Sequence, residues 1–178
     1  LQALGVWQQV EPRIAPAERL AANITAMSGG RLTIKVYSAG ELVPALECLG
    51  AVANGTAQMG HDAAYYHAGK SEGCAFFTAF PFGFTMGEMA AWIKHGNGQK
   101  LWDELYAPFG IRGFQAGSTG TQMFGWFRRE IRSLADLDGL KFRTPGNQGR
   151  VLQKLGVTPV SLPGGEIFPA LQSGAIAG

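Results

Sequence analysis

From residue 16 onward the chain switches repeatedly between two hydrophobic periods, and that switching restricts the fold more than any other feature. Residues 31–37, RLTIKVY, alternate strictly, with Leu32, Ile34 and Val36 on one side and Thr33 and Lys35 on the other. A period of two is that of a strand with one buried face. The preceding residues 16–28 read as a helix: Pro16 suits a first turn, Leu20, Ile24 and Met27 share a face, and Gly29-Gly30 stop it. After the loop SAGE, VPALECLGAVANG is helical from Pro44 and closed by Gly55, and AQMGHD is a short strand. Residues 75–84, AFFTAFPFGF, are expected to be a buried crossing segment and not a helix. A long helix is expected from about Gly87 to Tyr106, interrupted around Gly96–Gly98, then strands at Arg112–Ala116 and Gln122–Phe127. SLADLDG is a short helix capped by Ser133, three residues before Asp136. LKFRT is a strand, NQGRVLQKLG a helix, and the chain finishes with TPVSLP and the helix GGEIFPALQSG. Strands alternating with helices define an α/β fold class.

One echo bears on organisation. GELVPAL at 40–46 returns as GEIFPAL at 165–171, each after a strand and loop and each before a run of small residues. Either the match is accidental or the molecule contains two similar lobes. On the second reading, the first lobe continues past NGTAQMG into a strand and a tyrosine-rich segment. The second stops at SGAIAG, so the chain is expected to end inside its second lobe.

Composition excludes several classes. Hydrophobic residues make up 46% and charged residues 16% of 178, a globular balance with no signature of disorder. The formal charge is +2 and no Lys/Arg stripe forms, which argues against nucleic acid as a partner. No run of about 18 apolar residues is present to span a membrane as a helix. LQALGVWQQVEPRIAP carries no signal-peptide pattern. Cys48 and Cys74 match no metal spacing, and the sequence leaves their pairing open.

Four residues stand out as a candidate binding set. Arg143 ends the strand LKFR ahead of Thr144-Pro145-Gly146, and ligands of α/β sheets gather outside the carboxyl ends of strands. Its planar fork suits a carboxylate, and the following helix could add positive potential from its N-terminal amides. On position alone an ordinary surface arginine is the commoner outcome. Gln122, among the glycines of GSTGTQMFGW, offers an amide oxygen suited to Na⁺ or Ca²⁺ and an NH₂ suited to an oxo or hydroxyl oxygen. Tyr65 and Tyr66 could line a pocket or pack in a core. His61, Asp62 and His67 fit no standard metal spacing. No nucleophile elbow, P-loop, GxGxxG or HExxH is present, and Glu166 suits the start of a helix.

Taken together, MSGGRLTIKVYSAGELVPALE, NGTAQMGHDAAYYHAGK, FFTAFPFGF, GSTGTQMFGWF and LDGLKFRTPGNQGRVLQKLGVTPVSLPGGEIFPALQSGAI resemble the substrate-binding subunits of TRAP transporters (tripartite ATP-independent periplasmic transporters, DctP-type). The likeness runs from about Arg19 onward and is strongest to the branch that binds 2-oxo acids and related monocarboxylates. It implies a two-lobed periplasmic solute-binding protein fold, type II-like, with the second lobe incomplete in this chain. The first lobe with its long helix would be residues 1–116 and part of the second 117–178. It implies no catalysis, a periplasmic location, small and large TRAP membrane subunits as partners, and a homodimer of the full-length protein. Arg143 matches the position that binds the ligand carboxylate. Gln122 matches a glutamine that binds both ligand and a metal ion, Na⁺ or Ca²⁺, bridging the substrate. Tyr65 and Tyr66 lie in the aromatic segment that completes the pocket.

Departures from the family pattern are equally specific. The family's first strand is not recognisable in LQALGVWQQVEPRI, and Ala177 stands where Asp is usual. The family's Glu-Trp segment, which supplies further metal and substrate ligands, falls beyond Gly178, so these residues alone would not complete a metal site. Two other functions remain open: a small α/β enzyme anchoring an organic acid on Arg143 with His61 or His67 as acid–base, and a sensory ligand-binding domain.

Overall fold

The computed structural model describes residues 2–5 and 15–178, with the backbone alone for 2–5 and Ala15. Chain contacts divide it into two compact units, one of residues 1–63 with 163–165 and one of 64–162 with 166–178. This division differs from the expected lobe boundary at 116/117.

The first unit contains β1 (Gln2–Gly5), α1 (Ala15–Met27), β2 (Lys35–Tyr37), α2 (Cys48–Ala53) and β3 (Met59–His61). The sheet is parallel with order β2-β1-β3, and Ala3 pairs with both Val36 and Met59. The segment in which no first strand was recognisable thus begins with the central strand. Its four residues carry no β-branched alternation, and its neighbours on both sides set its register. The strand expected over 31–37 is confined to Lys35–Tyr37. α1 ends as expected, with Gly29 and Gly30 at positive φ and Gly30 N–H donating to Thr25 O. Its expected apolar face is not buried: Leu20 is 50% and Met27 80% exposed, while Ala21 is the buried position. The helix expected from Pro44 opens with a 3-10 turn, Ala45–Glu47, and α2 follows, burying Cys48, Leu49 and Ala51.

The second unit begins with two 3-10 turns, Ala64–His67 and Glu72–Phe77. The expected buried crossing at 75–84 is corrected here. It is 3-10 helical to Phe77, only Cys74 and Ala75 are buried, and Phe76, Phe80, Phe82 and Phe84 are exposed. Phe77 stacks between Trp92 and Trp102, at 5.5 and 5.0 Å between ring centroids. Those tryptophans belong to α3 (Met86–His95) and α4 (Gly98–Tyr106), the long helix broken where expected. The break has a packing cause. A β-carbon on Gly96 or Gly98 would lie 2.8 Å from Trp92 atoms, and Trp92 Nε1 donates to Asn97 Oδ1 across the gap. The strands expected at 112–116 and 122–127 are not formed, because neither finds a pairing strand among the described residues.

Beyond them, Ser133 and Asp136 form a reciprocal cap on the 3-10 turn Leu134–Leu137. Next come β4 (Lys141–Arg143), α5 (Asn147–Gln153), β5 (Thr158–Val160) and α6 (Ile167–Ser173). β4 pairs in parallel with β5, and Leu137, Leu140, Phe142, Leu152 and Val157 form the core beneath. On the other side of β4, Ala177 N–H donates to Lys141 O and Arg143 N–H to Gly178 O, both at 2.7 Å. Residues 176–178 therefore run alongside β4 in the same direction, completing the order β5-β4-(176–178). The first unit has that same strand–helix–strand–helix–strand path; GELVPAL lies between the second strand and the second helix, whereas GEIFPAL begins just before α6 and runs into it. The echo thus falls at the approach to the second helix in each path, although the helical register differs: Pro44 precedes its helix and Pro169 lies inside α6.

Candidate functional site

Arg143 stands at the carboxyl end of β4. Phe142 and Thr144 turn inward to the core and are buried, so the pleat directs Arg143 the other way, where it is half-buried. Its Nε and Nη2 both donate to the main-chain carbonyl of Leu162, at 3.1 and 2.9 Å. Nη2 also donates to Tyr66 Oη at 2.9 Å, and the guanidinium lies 5.9 Å from the centre of the Tyr66 ring. Tyr65 meets Tyr66 edge-on at 4.6 Å. Of the guanidinium's N–H donors, those on Nη1 bond no described residue, and no carboxylate pairs with it among the described residues. A half-buried guanidinium whose described partners are neutral oxygens is a suitable partner for an anion.

The turn after β4 sets this geometry. Gly146 has φ +69° and ψ −152°, a region open essentially to glycine, and a β-carbon there would lie 3.0 Å from Tyr65 Cβ. Glycine at 146 thus brings the tyrosine segment against the strand end. α5 has only seven residues, so the guanidinium, not a helix end, carries the charge.

The structure brings together Arg143, Tyr66 and Tyr65, but not Gln122. Gln122 is exposed and its Nε2 donates to Thr119 Oγ1 at 2.9 Å. Its amide oxygen bonds no described residue, which fits the hard, neutral donor that Na⁺ or Ca²⁺ takes. It supplies one ligand only, and no cluster of three His, Cys, Asp or Glu that could hold a metal occurs among the described residues. His67 is buried and His61 half-buried. Cys48 is a free buried thiol, pushed up to about 12 by burial with Asp62's charge adding to the effect.

Sequence reasoning missed two contributors, Leu162 and Gly146. A main-chain acceptor leaves no trace in side-chain chemistry, whereas TPG after a strand is a turn signal that could have flagged Gly146. A groove of about 530 Å³ between α1 and β2, lined by Glu18, Ala21, Thr25 and Ile34 among others, contains none of these groups and is open to solvent.

A strand-end arginine bonded to a tyrosine hydroxyl, on a parallel α/β sheet, places the chain among α/β proteins. The family model described as bacterial extracellular solute-binding protein, family 7 (DctP) matches residues 5–178, and the chain belongs to this family. It is 48% identical over 160 residues, 90% of this chain and 44% of the relative, to a monocarboxylate 2-oxoacid-binding periplasmic protein of Nostoc sp. (strain PCC 7120). A TRAP periplasmic solute-binding protein from Pseudoalteromonas atlantica T6c, solved with sodium and pyruvate, superimposes with a TM-score of 0.94 at 42% identity, over 99% of this chain and 54% of that one. A TRAP transporter solute-binding protein from Bordetella bronchiseptica RB50, a mixed-occupancy dimer with copurified calcium and picolinate, gives 0.95 at 36% identity, over 99% and 53%. The chain spans about half the length of these relatives.

Proposed function

We propose that this chain serves in the extracytoplasmic substrate-binding component of a TRAP transporter, which captures a small monocarboxylate reversibly for secondary uptake. The ligand is a 2-oxo acid such as pyruvate, or a lactate-like hydroxy acid. Arg143 grips its carboxylate, and Tyr65 and Tyr66 wall the pocket. Gln122 contributes its amide to the ligand and to a bridging Na⁺ or Ca²⁺. Residues 1–116 and 117–178 belong to different lobes that close on the ligand. The bound protein is delivered to the small and large membrane subunits, and the whole protein pairs as a homodimer in the periplasm.

The observation that carries this reading is Arg143: a half-buried guanidinium, oriented by Leu162 O and Tyr66 Oη, with no carboxylate partner among the described residues. The relatives solved with pyruvate or picolinate support the ligand class. Capture without catalysis is supported by the family, whose members are described as extracellular solute-binding proteins.

The test is titration calorimetry on the whole protein with pyruvate, other 2-oxo acids and lactate, with and without Na⁺ or Ca²⁺. Arg143→Ala is expected to weaken binding by ~100-fold or more, the order of losing one partner of a desolvated charge pair. No heat from any monocarboxylate, or unchanged affinity in that variant, would sink the proposal.

A further inference from the structure

We propose that Asn54–Gly55 is a self-modification site, at which the Asn54 side-chain amide is lost through a cyclic imide to leave aspartate and isoaspartate, with Thr56 holding the reacting carbonyl. The site owes nothing to the proposed ligand: Asn54 and Gly55 are absent from the partners of Arg143.

The chain holds two Asn–Gly pairs, Asn54–Gly55 and Asn97–Gly98. Glycine after asparagine leaves its own amide nitrogen unhindered for attack on the asparagine Cγ. The sequence makes the two pairs equal; the structure does not. Asn54, Gly55 and Thr56 are all exposed at the end of α2. Asn54 Oδ1 accepts from Thr56 N–H at 3.0 Å and from Thr56 Oγ1 at 2.7 Å. This Asx turn folds the side-chain carbonyl back over the Gly55 peptide, the direction in which the ring closes. Both hydrogen bonds also stabilise the oxyanion that attack creates on Oδ1. The leaving Nδ2 bonds no described residue. A β-carbon at Gly55 would meet nothing within 4 Å, so the ring has room. One bond opposes the reaction, Gly55 N–H to Val52 O at 3.1 Å. It closes the last turn of a six-residue helix, where opening costs little. Asn97–Gly98 is locked instead. Gly98 is buried, and a β-carbon on it would lie 2.8 Å from Trp92 Cδ2 and 2.9 Å from Ile93 Cα. Asn97 Oδ1 is taken by Trp92 Nε1 at 2.9 Å, and Asn97 O accepts from Leu101 N–H. Attack there requires the first turn of α4 to open.

The reaction needs only solvent water. The Gly55 nitrogen gives up its proton to water or hydroxide and bonds to Asn54 Cγ. The Cγ–Nδ2 bond then breaks, and ammonia leaves with a proton returned from solvent. Water adds at either carbonyl of the five-membered imide. Opening at Cγ gives aspartate; opening at the main-chain carbonyl gives isoaspartate, with the chain rerouted through Cγ. Both products place a negative charge beside the carbonyl end of α2, which the helix dipole disfavours. Isoaspartate also adds a main-chain methylene between α2 and β3, where the bond from Ala57 N–H to Ala51 O closes the turn.

The test is prolonged incubation of the full chain in warm, mildly alkaline buffer, read by peptide mass spectrometry and by enzymatic methylation specific to isoaspartate. The same chain in denaturant is the reference. Folded protein is expected to gain isoaspartate at position 54 ~10-fold or more faster than at position 97, the scale of suppression that one local opening imposes. In denaturant the two positions should convert at similar rates. Thr56→Val keeps the backbone donor and the branched shape; it should slow conversion at position 54 ~2–5-fold in the folded chain and not in denaturant, the scale of one net hydrogen bond. A folded chain that keeps its Asn54 amide while the denatured chain loses it overturns the site, as does equal conversion at both positions in the folded chain. An unchanged folded rate in Thr56→Val overturns the part given to Thr56.

Discussion

Arg143 spends two donors on a single main-chain oxygen and a third on Tyr66 Oη, so its remaining capacity is the two N–H groups of Nη1. Lysine is a point charge without the fixed planar fork that holds Leu162 O and Tyr66 Oη while presenting Nη1. Arg143→Lys should therefore bind pyruvate ~10–100-fold more weakly in calorimetry despite keeping the charge. Tyr66→Phe removes one charge-assisted acceptor; its expected loss is ~3–20-fold in affinity, from a hydrogen bond worth about 1 kcal/mol or somewhat more. A second residue-scale expectation concerns Thr144, whose Oγ1 is buried with no hydrogen-bond partner among the described residues. Thr144→Val keeps the shape and removes the orphan hydroxyl, so the protein should become more stable by ~1 kcal/mol in denaturant unfolding. A comparable loss would mean the hydroxyl has a partner after all. At this scale Arg143 and the tyrosines were legible in the sequence because their side chains carry the chemistry. The Leu162 carbonyl was not, because any residue could supply it.

Two elements begin with reciprocal caps, α3 at Thr85–Glu88 and the 3-10 turn at Ser133–Asp136. Hydrogen bonds from Thr85 hold Glu88 below the usual carboxylate range, and those from Arg132 and Ser133 do the same for Asp136. Both groups are more acidic folded than unfolded. Their stabilisation is present above the ordinary carboxylate pKa, about 4, and is lost as pH falls through the lowered values. Thermal melting followed from pH 7 to 2 should show this acid loss. Glu88→Gln, which keeps a capping partner but cannot titrate, should reduce its steepness; an unaltered profile would exclude Glu88 as a contributor. The element boundaries show why the rest of the fold was harder to read. Ser-x-x-Asp and Gly29-Gly30 act locally, so they were visible. β1 is a strand because β2 and β3 flank it, and 112–116 is not one because no partner pairs with it among the described residues. Pairing is a property of two segments, and one segment's alternation does not contain it.

For the whole molecule, the proposed bridging ion gives a further test. Gln122→Ala should abolish the Na⁺ or Ca²⁺ dependence of pyruvate binding while leaving Arg143-dependent binding measurable; an ion dependence that survives would remove Gln122 from the ion site. The family could be read from combined segments because their order reflects the strand–helix path. The contact units at 63/64 could not, since Tyr66 bonds Arg143 across 77 residues of sequence. The tripeptide 176–178 carries one more consequence. The amide of Arg143 is held by Gly178 O, and the strand bearing it is flanked on that side by residues about 35 positions further on. As the chain emerges from a ribosome, β4 and β5 can pair first. The arginine's backbone is pinned only after Ile176–Gly178 has followed. A nascent chain stalled before residue 176 should therefore leave the Arg143 amide unpinned on that side of β4.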